Sequence, residues 1–112
     1  MIVYRVEHKT SHVGPFGWEY SGGMKVGSNK HPLPSEDGIY AGSAYIYGCE
    51  SLRHLSDWFT NSYMHLRENG FHIVEYESDD FHKGKTQVAF NKASAKVIKP
   101  RNLGEMLRFM EH

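Results

Sequence analysis

The 112-residue sequence is short of several things, and each shortage removes a class of function. It has one cysteine, Cys49. No disulfide can form within the chain, and a cysteine-based zinc site would need ligands of other types. It has no excess of charge: Lys plus Arg and Asp plus Glu are both 13, and the formal net charge is zero. Bulk electrostatics therefore give no drive toward nucleic acid, and an acidic mimic of DNA is equally excluded. No apolar run approaches membrane-spanning length. The first residues, MIVYRVEHK, show no charged segment followed by an apolar one, so no signal peptide is expected. A cytoplasmic setting, with reduced thiols, is the expectation.

Proline and glycine are unevenly placed rather than scarce. Residues 9–38 hold six of the eleven glycines and three of the four prolines, with no sustained hydrophobic period. A connection of this length inside one domain is usually functional or mobile. Within it, GPFGWEYSGG places Phe16, Trp18 and Tyr20 at alternate positions. If that stretch is locally extended, all three rings share one face. They then either cover the small core together or present a flat surface to a partner or a base.

The rest of the chain has clearer periods. Residues 2–8 alternate in the manner of a strand, with Ile2, Tyr4 and Val6 on one face and Arg5 on the other. Residues 39–48 read as a second strand region, with Tyr45 and Tyr47 on one face and Ile46 opposite. Ser51 can cap a helix in which Leu52, Leu55 and Phe59 fall at helical spacing. Thr60 can open a second short helix, which Asn69-Gly70 ends. Strands are expected at 71–76, 86–90 and 95–99. A turn pivoting on Gly84 precedes the second of these, and Pro100 interrupts after the third. Asn102 and Glu105 suggest a capping box for an amphipathic helix bearing Leu103, Met106, Leu107 and Met110. The sum is one α+β domain over residues 1–112. It has a mostly antiparallel sheet, a two-part central helix region and a C-terminal amphipathic helix.

Candidate chemistry is thin. Eight histidines invite a metal, yet no HExxH or paired cysteine is present, and no metal or cofactor is expected. GGMKVGSNK lacks the order of a phosphate loop. Cys49 precedes a helix start, which can activate a thiol, though a half-buried structural cysteine is the simpler reading. Glu75 and Glu77 share a strand face, as an acid–base pair or as a solvated edge. Arg5 can hold a phosphate or carboxylate if it faces a cleft, and means little if it faces water.

Several segments together resemble a family of small phage- and prophage-encoded proteins. They are YRVEH at 4–8, GPF at 14–16, HPLPSEDG at 31–38, GCESLRHLSDWF at 48–59, NGF at 69–71 and GKTQVAF at 84–90. The resemblance implies a phage protein working in the host cytoplasm and carries over no active residues. A weaker, architectural likeness is to ADP-ribosyltransferase-like folds. It would match Arg5 to a phosphate-holding arginine and Ser43 to the serine segment. The late strand offers Gln87, but no glutamate follows two residues on, Phe90 being one place past that position, and Glu75-Tyr76-Glu77 comes one strand early.

The expectation is a non-enzymatic binding protein that meets a host protein or captures a nucleotide-like small molecule, plausibly to counter host defence. Its contact residues would be Arg5, Phe16, Trp18, Tyr20, His31, Tyr45 and Tyr47. A transferase-like enzyme or NAD binder and a structural accessory protein, including a homo-oligomer joined through the aromatic loop, are the competing readings.

Overall fold

A computed structural model describes residues 1–12, 44–59 and 62–109. Most of the glycine- and proline-rich stretch, with Phe16, Trp18, Tyr20, His31 and Ser43, lies outside the described residues, as does Thr60.

The described elements run β1 (Ile2–His8), β2 (Tyr45–Gly48), α1 (Leu52–Phe59), α2 (Tyr63–Glu68), β3 (Phe71–Glu77), β4 (Phe81–Lys83), β5 (Val88–Asn91), β6 (Lys96–Arg101) and a C-terminal 3-10 helix (Leu103–Phe109). They form two three-stranded antiparallel sheets, in the orders β1-β3-β6 and β2-β5-β4. This is an α+β fold. Strand β3 is central in the first sheet because it is apolar on both faces, with Ile73 on one side and Val74 and Tyr76 on the other, all buried.

Each face of that sheet has its own core. Val6, Phe71 and Ile73 meet the helices through Leu55, Trp58, Phe59, Leu66, Leu103 and Met106. On the opposite face, Val3, Val74 and Tyr76 meet Val88, Phe90 and Ile46 of the second sheet. Burying one such side chain completely is worth about 2 kcal/mol. The helices, the first sheet and the second sheet thus make three layers.

The two sheets are joined where Tyr4 and Cys49 exchange backbone hydrogen bonds of 2.7 and 2.8 Å. Gly48 makes that approach feasible. A Cβ there would lie 2.6 Å from the Tyr4 carbonyl oxygen and 2.7 Å from Val3 Cγ1. Only a residue without a side chain fits.

Local signals are met with some shifts. Ser51 Oγ accepts from the His54 amide at 3.1 Å, which starts α1 as its sequence suggests. Gly70, at φ +79°, ends α2. The segment 81–83, read as part of a turn, is a short strand pairing with β5. Pro100 does not interrupt β6 but lies within it. β6 is an edge strand on β3, so a missing N–H there costs no ladder bond. The β3–β6 register slips between Glu75 and Tyr76, leaving Ile98 as the extra residue of a bulge.

The last helix differs in kind. Its cap is present, with the Gly104 amide donating to Asn102 Oδ1 at 2.7 Å. The Glu105 carboxylate, however, turns to Arg101 rather than closing a capping box. The turn is 3-10, with three residues per turn, so Leu103, Met106 and Phe109 align. Leu107, expected on the buried face, is therefore exposed. Among the described residues no helix is long and apolar enough to cross a membrane.

Candidate functional site

The first sheet carries charge in two places, and β1 leads into both. Alternation puts Val3, Arg5 and Glu7 on the face that meets the second sheet, opposite Tyr76, Val74 and His72 of β3. Of the two surroundings considered for Arg5, open water does not apply. Both faces of this sheet are covered, and the Arg5 side chain is 12% exposed. Its Nε lies 3.6 Å from Glu7 Oε2.

Glu7 itself is 1% exposed. The Tyr76 hydroxyl donates to its Oε2 at 2.5 Å, and Lys92 Nζ stands 3.6 Å from the same oxygen. His12 Nδ1 is 3.9 Å from Oε1. A buried acid is thereby surrounded by a phenol and cationic groups, the condition under which a buried carboxylate is tolerated. Burial pulls the Arg5 guanidinium below its ordinary value, and the Glu7 charge opposes this. Burial pushes the Tyr76 phenol well above its ordinary value, and the bond to Glu7 adds to the effect.

The other predicted groups do not join this cluster. Tyr45 and Tyr47 share one face of β2, with Ile46 turned inward, as alternation requires. The Tyr45 hydroxyl donates to Asp80 Oδ1 at 2.5 Å, and the Asn91 amide donates to Oδ2 at 3.2 Å. Those bonds hold the Asp80 carboxyl below its usual value and raise the Tyr45 phenol.

Glu75 pairs with Tyr4 in register, so it faces the helices, away from Arg5. Its Oε1 accepts from Arg101 Nε at 2.7 Å. Arg5, Tyr45 and Glu75 therefore do not converge on one pocket. Cys49 is buried in the helix-side core, with its thiol 3.7 Å from the Thr86 carbonyl oxygen. Among the described residues, no three His, Cys, Asp or Glu side chains are placed to hold a metal ion.

A concavity among the described residues lies at the end of the first sheet, where β3 starts and β6 finishes. It is a groove of about 420 Å³. Lys9, just past β1, and Arg67, in the last turn of α2, line it together with His72 and Arg101. Tyr63, Asn102, Phe71, Pro100 and Leu103 complete the wall.

Arg101 is already held by Glu75 and by Glu105, whose Oε1 accepts from Nη1 at 2.7 Å. Lys9 and Arg67 have no ion-pair partner among the described residues. The His72 ring is half-buried, and its Nε2 is closed off from water without a hydrogen-bond partner among the described residues. Burial holds this imidazole below its ordinary value; Lys9, His12 and His8 act in the same direction, and Glu7 opposes them.

None of these groove residues stood out in the sequence as a binding residue; Pro100, Asn102 and Leu103 were read only for their structural parts. They come from four separate elements and follow no common period, so only the tertiary fold brings them together.

A family model described as Bacteriophage T4 Y00F protein matches residues 1–103. The chain belongs to this family. The match covers both charged regions, since β1, α2, β3, β6 and Asn102 all fall inside it. The resemblance to phage-encoded proteins, drawn from the motifs between Tyr4 and Phe90, thus stands at the level of the family. No curated protein and no solved structure matches the chain.

Proposed function

We propose that this Y00F-family protein is a non-enzymatic binding protein, which captures a host factor or a small ligand at the groove between α2, β3 and β6. The observation that supports this reading is the contrast in charge pairing. Arg5 is held by Glu7, Glu75 by Arg101, and Asp80 by Tyr45 and Asn91. Lys9 and Arg67 stand in a concavity without an acid beside them among the described residues. Unpaired cations facing a groove are a ready attachment point for something from outside. Capture of a host component is the kind of action through which a phage protein counters a host defence.

Immobilised protein exposed to a host lysate and to its small-molecule extract tests the reading. The expected result is a retained component with saturable binding, released by the Lys9→Glu/Arg67→Glu variant. Retention that the variant leaves unchanged would move the function away from the groove. Conversion of the retained ligand by the protein would replace the reading with an enzymatic one.

A further inference from the structure

The lining of the groove has a consistent chemistry. Its charged and polar side chains are all able to donate hydrogen bonds. Lys9 and Arg67 bring two positive charges that no carboxylate neutralises among the described residues. Asn102 already has its oxygen engaged by the Gly104 amide, which leaves its NH₂ group to face a ligand as a donor. The Tyr63 hydroxyl can donate as well, and His72 holds a buried nitrogen without a partner among the described residues. No Asp or Glu lines the groove among the described residues.

This donor set suits an acceptor-rich anion of more than one charge. A single carboxylate needs one cation, whereas a phosphate uses two cations and several N–H donors. Arg101 plays a different part. Its guanidinium is fixed between Glu75 and Glu105, so it acts as a wall of set position rather than as a free charge.

The remaining accessible lining is Pro100 and the ring of Tyr63, with Phe71 and Leu103 buried behind them. Such surfaces accept a flat body next to the charged group. The volume, about 420 Å³, falls within the roughly 300–1,000 Å³ typical of small-molecule sites. Zero net charge gives a long polyanion no general attraction.

We infer that the groove binds a small molecule bearing a phosphate on a ring-containing body, of the nucleotide class. Lys9, Arg67 and Asn102 take the phosphate, and Tyr63 and Pro100 take the ring. This rests on the reading of the protein as a binder and adds the chemistry of the ligand.

Calorimetric titration at fixed ionic strength, with ADP, pyrophosphate, inorganic phosphate, adenosine and acetate as probes, tests it. ADP is expected to bind at one saturable site, more tightly than inorganic phosphate or adenosine alone. Acetate should give no saturable heat. The Lys9→Gln/Arg67→Gln variant should keep its thermal melt and lose at least about tenfold in ADP affinity.

The inference is overturned if no phosphate-bearing probe saturates, or if the variant binds ADP as the parent does. A host protein retained by the parent, released by the charge-reversed variant and unaffected by ADP would sink the phosphate site but leave the binding reading intact. Hydrolysis of ADP during the titration would do the reverse.

Discussion

Two charged regions share the first sheet, and their charges have opposite fates. Around Glu7 the acid is enclosed, and Arg5, Tyr76, Lys92 and His12 are gathered on it. Around Lys9, two residues further along the same chain, Lys9 and Arg67 face a groove and form no ion pair among the described residues. Charged groups in the first region tie β1 to β3 and to Lys92, just past β5. In the second, Lys9 and Arg67 form no ion pair among the described residues, and the proposed binding role builds on that. What separates the two is not residue type but whether the fold brings a counter-charge.

The hardest test of the first region is Glu7→Gln. It keeps the shape and leaves Arg5 buried beside a neutral amide. Losing one partner of a buried pair costs about 3 kcal/mol or more, because the remaining charge is uncompensated. Urea denaturation measures it, and adding Arg5→Met should recover part of the loss. A cost under about 0.5 kcal/mol, the range of ordinary surface changes, would mean that the cluster is not a structural unit.

Tyr76→Phe comes next. It removes one hydrogen bond to a charged acceptor, worth about 2 kcal/mol. It also has a pH signature. The folded Tyr76 phenol stays protonated well above its ordinary value of 10.0. Above pH 10 the unfolded chain releases this proton while the native chain retains it, so stability falls as pH rises from there. The phenylalanine variant should show a shallower alkaline decline in melts between pH 9 and about 11.

How far these regions were legible in the sequence follows from their physics. Strand β1, the Ser51 cap and the Gly70 stop are local features, encoded in alternation, a hydroxyl and a φ preference, and all can be read along the chain. Tyr45 and Tyr47 on one face of β2 is likewise a matter of period. The pairing of Glu7 was half visible: Arg5 and Glu7 share a face by parity, but that the face is covered depends on the second sheet closing over it. Pro100 and Leu107 were misread because an edge position and a 3-10 turn are set by neighbours, not by local composition. The groove was not legible at all. Lys9, Arg67, His72 and Asn102 become neighbours only when α2 packs against the end of β3 and β6.

For the second region the expected change in stability is small, and that smallness is the point. Lys9→Gln and Arg67→Gln should each shift unfolding free energy by no more than about 0.5 kcal/mol, as for exposed side chains without partners. Chemical denaturation of each variant checks it. A loss of 2 kcal/mol or more would show that these cations have a structural partner, and the contrast with Glu7 would collapse.

The finest test uses His72, which belongs to both regions. It stands opposite Glu7 in the β1–β3 register and also lines the groove. Burial lowers its imidazole below 6.5, the charges of Lys9, His12 and His8 reinforce this, and Glu7 works against them. Arg67 and Arg101 line the same groove. As pH falls below about 6.5, the unfolded chain takes up the proton first, so this residue's share of stability is lost on acidification. NMR titration of the ring then reports each neighbour separately. Lys9→Gln should move the midpoint up, Glu7→Gln should move it down, and a phosphate bound in the groove should move it up in the parent protein. A midpoint indifferent to both substitutions would mean that the two regions do not meet at His72, and the charge contrast would lose the one residue that joins its halves.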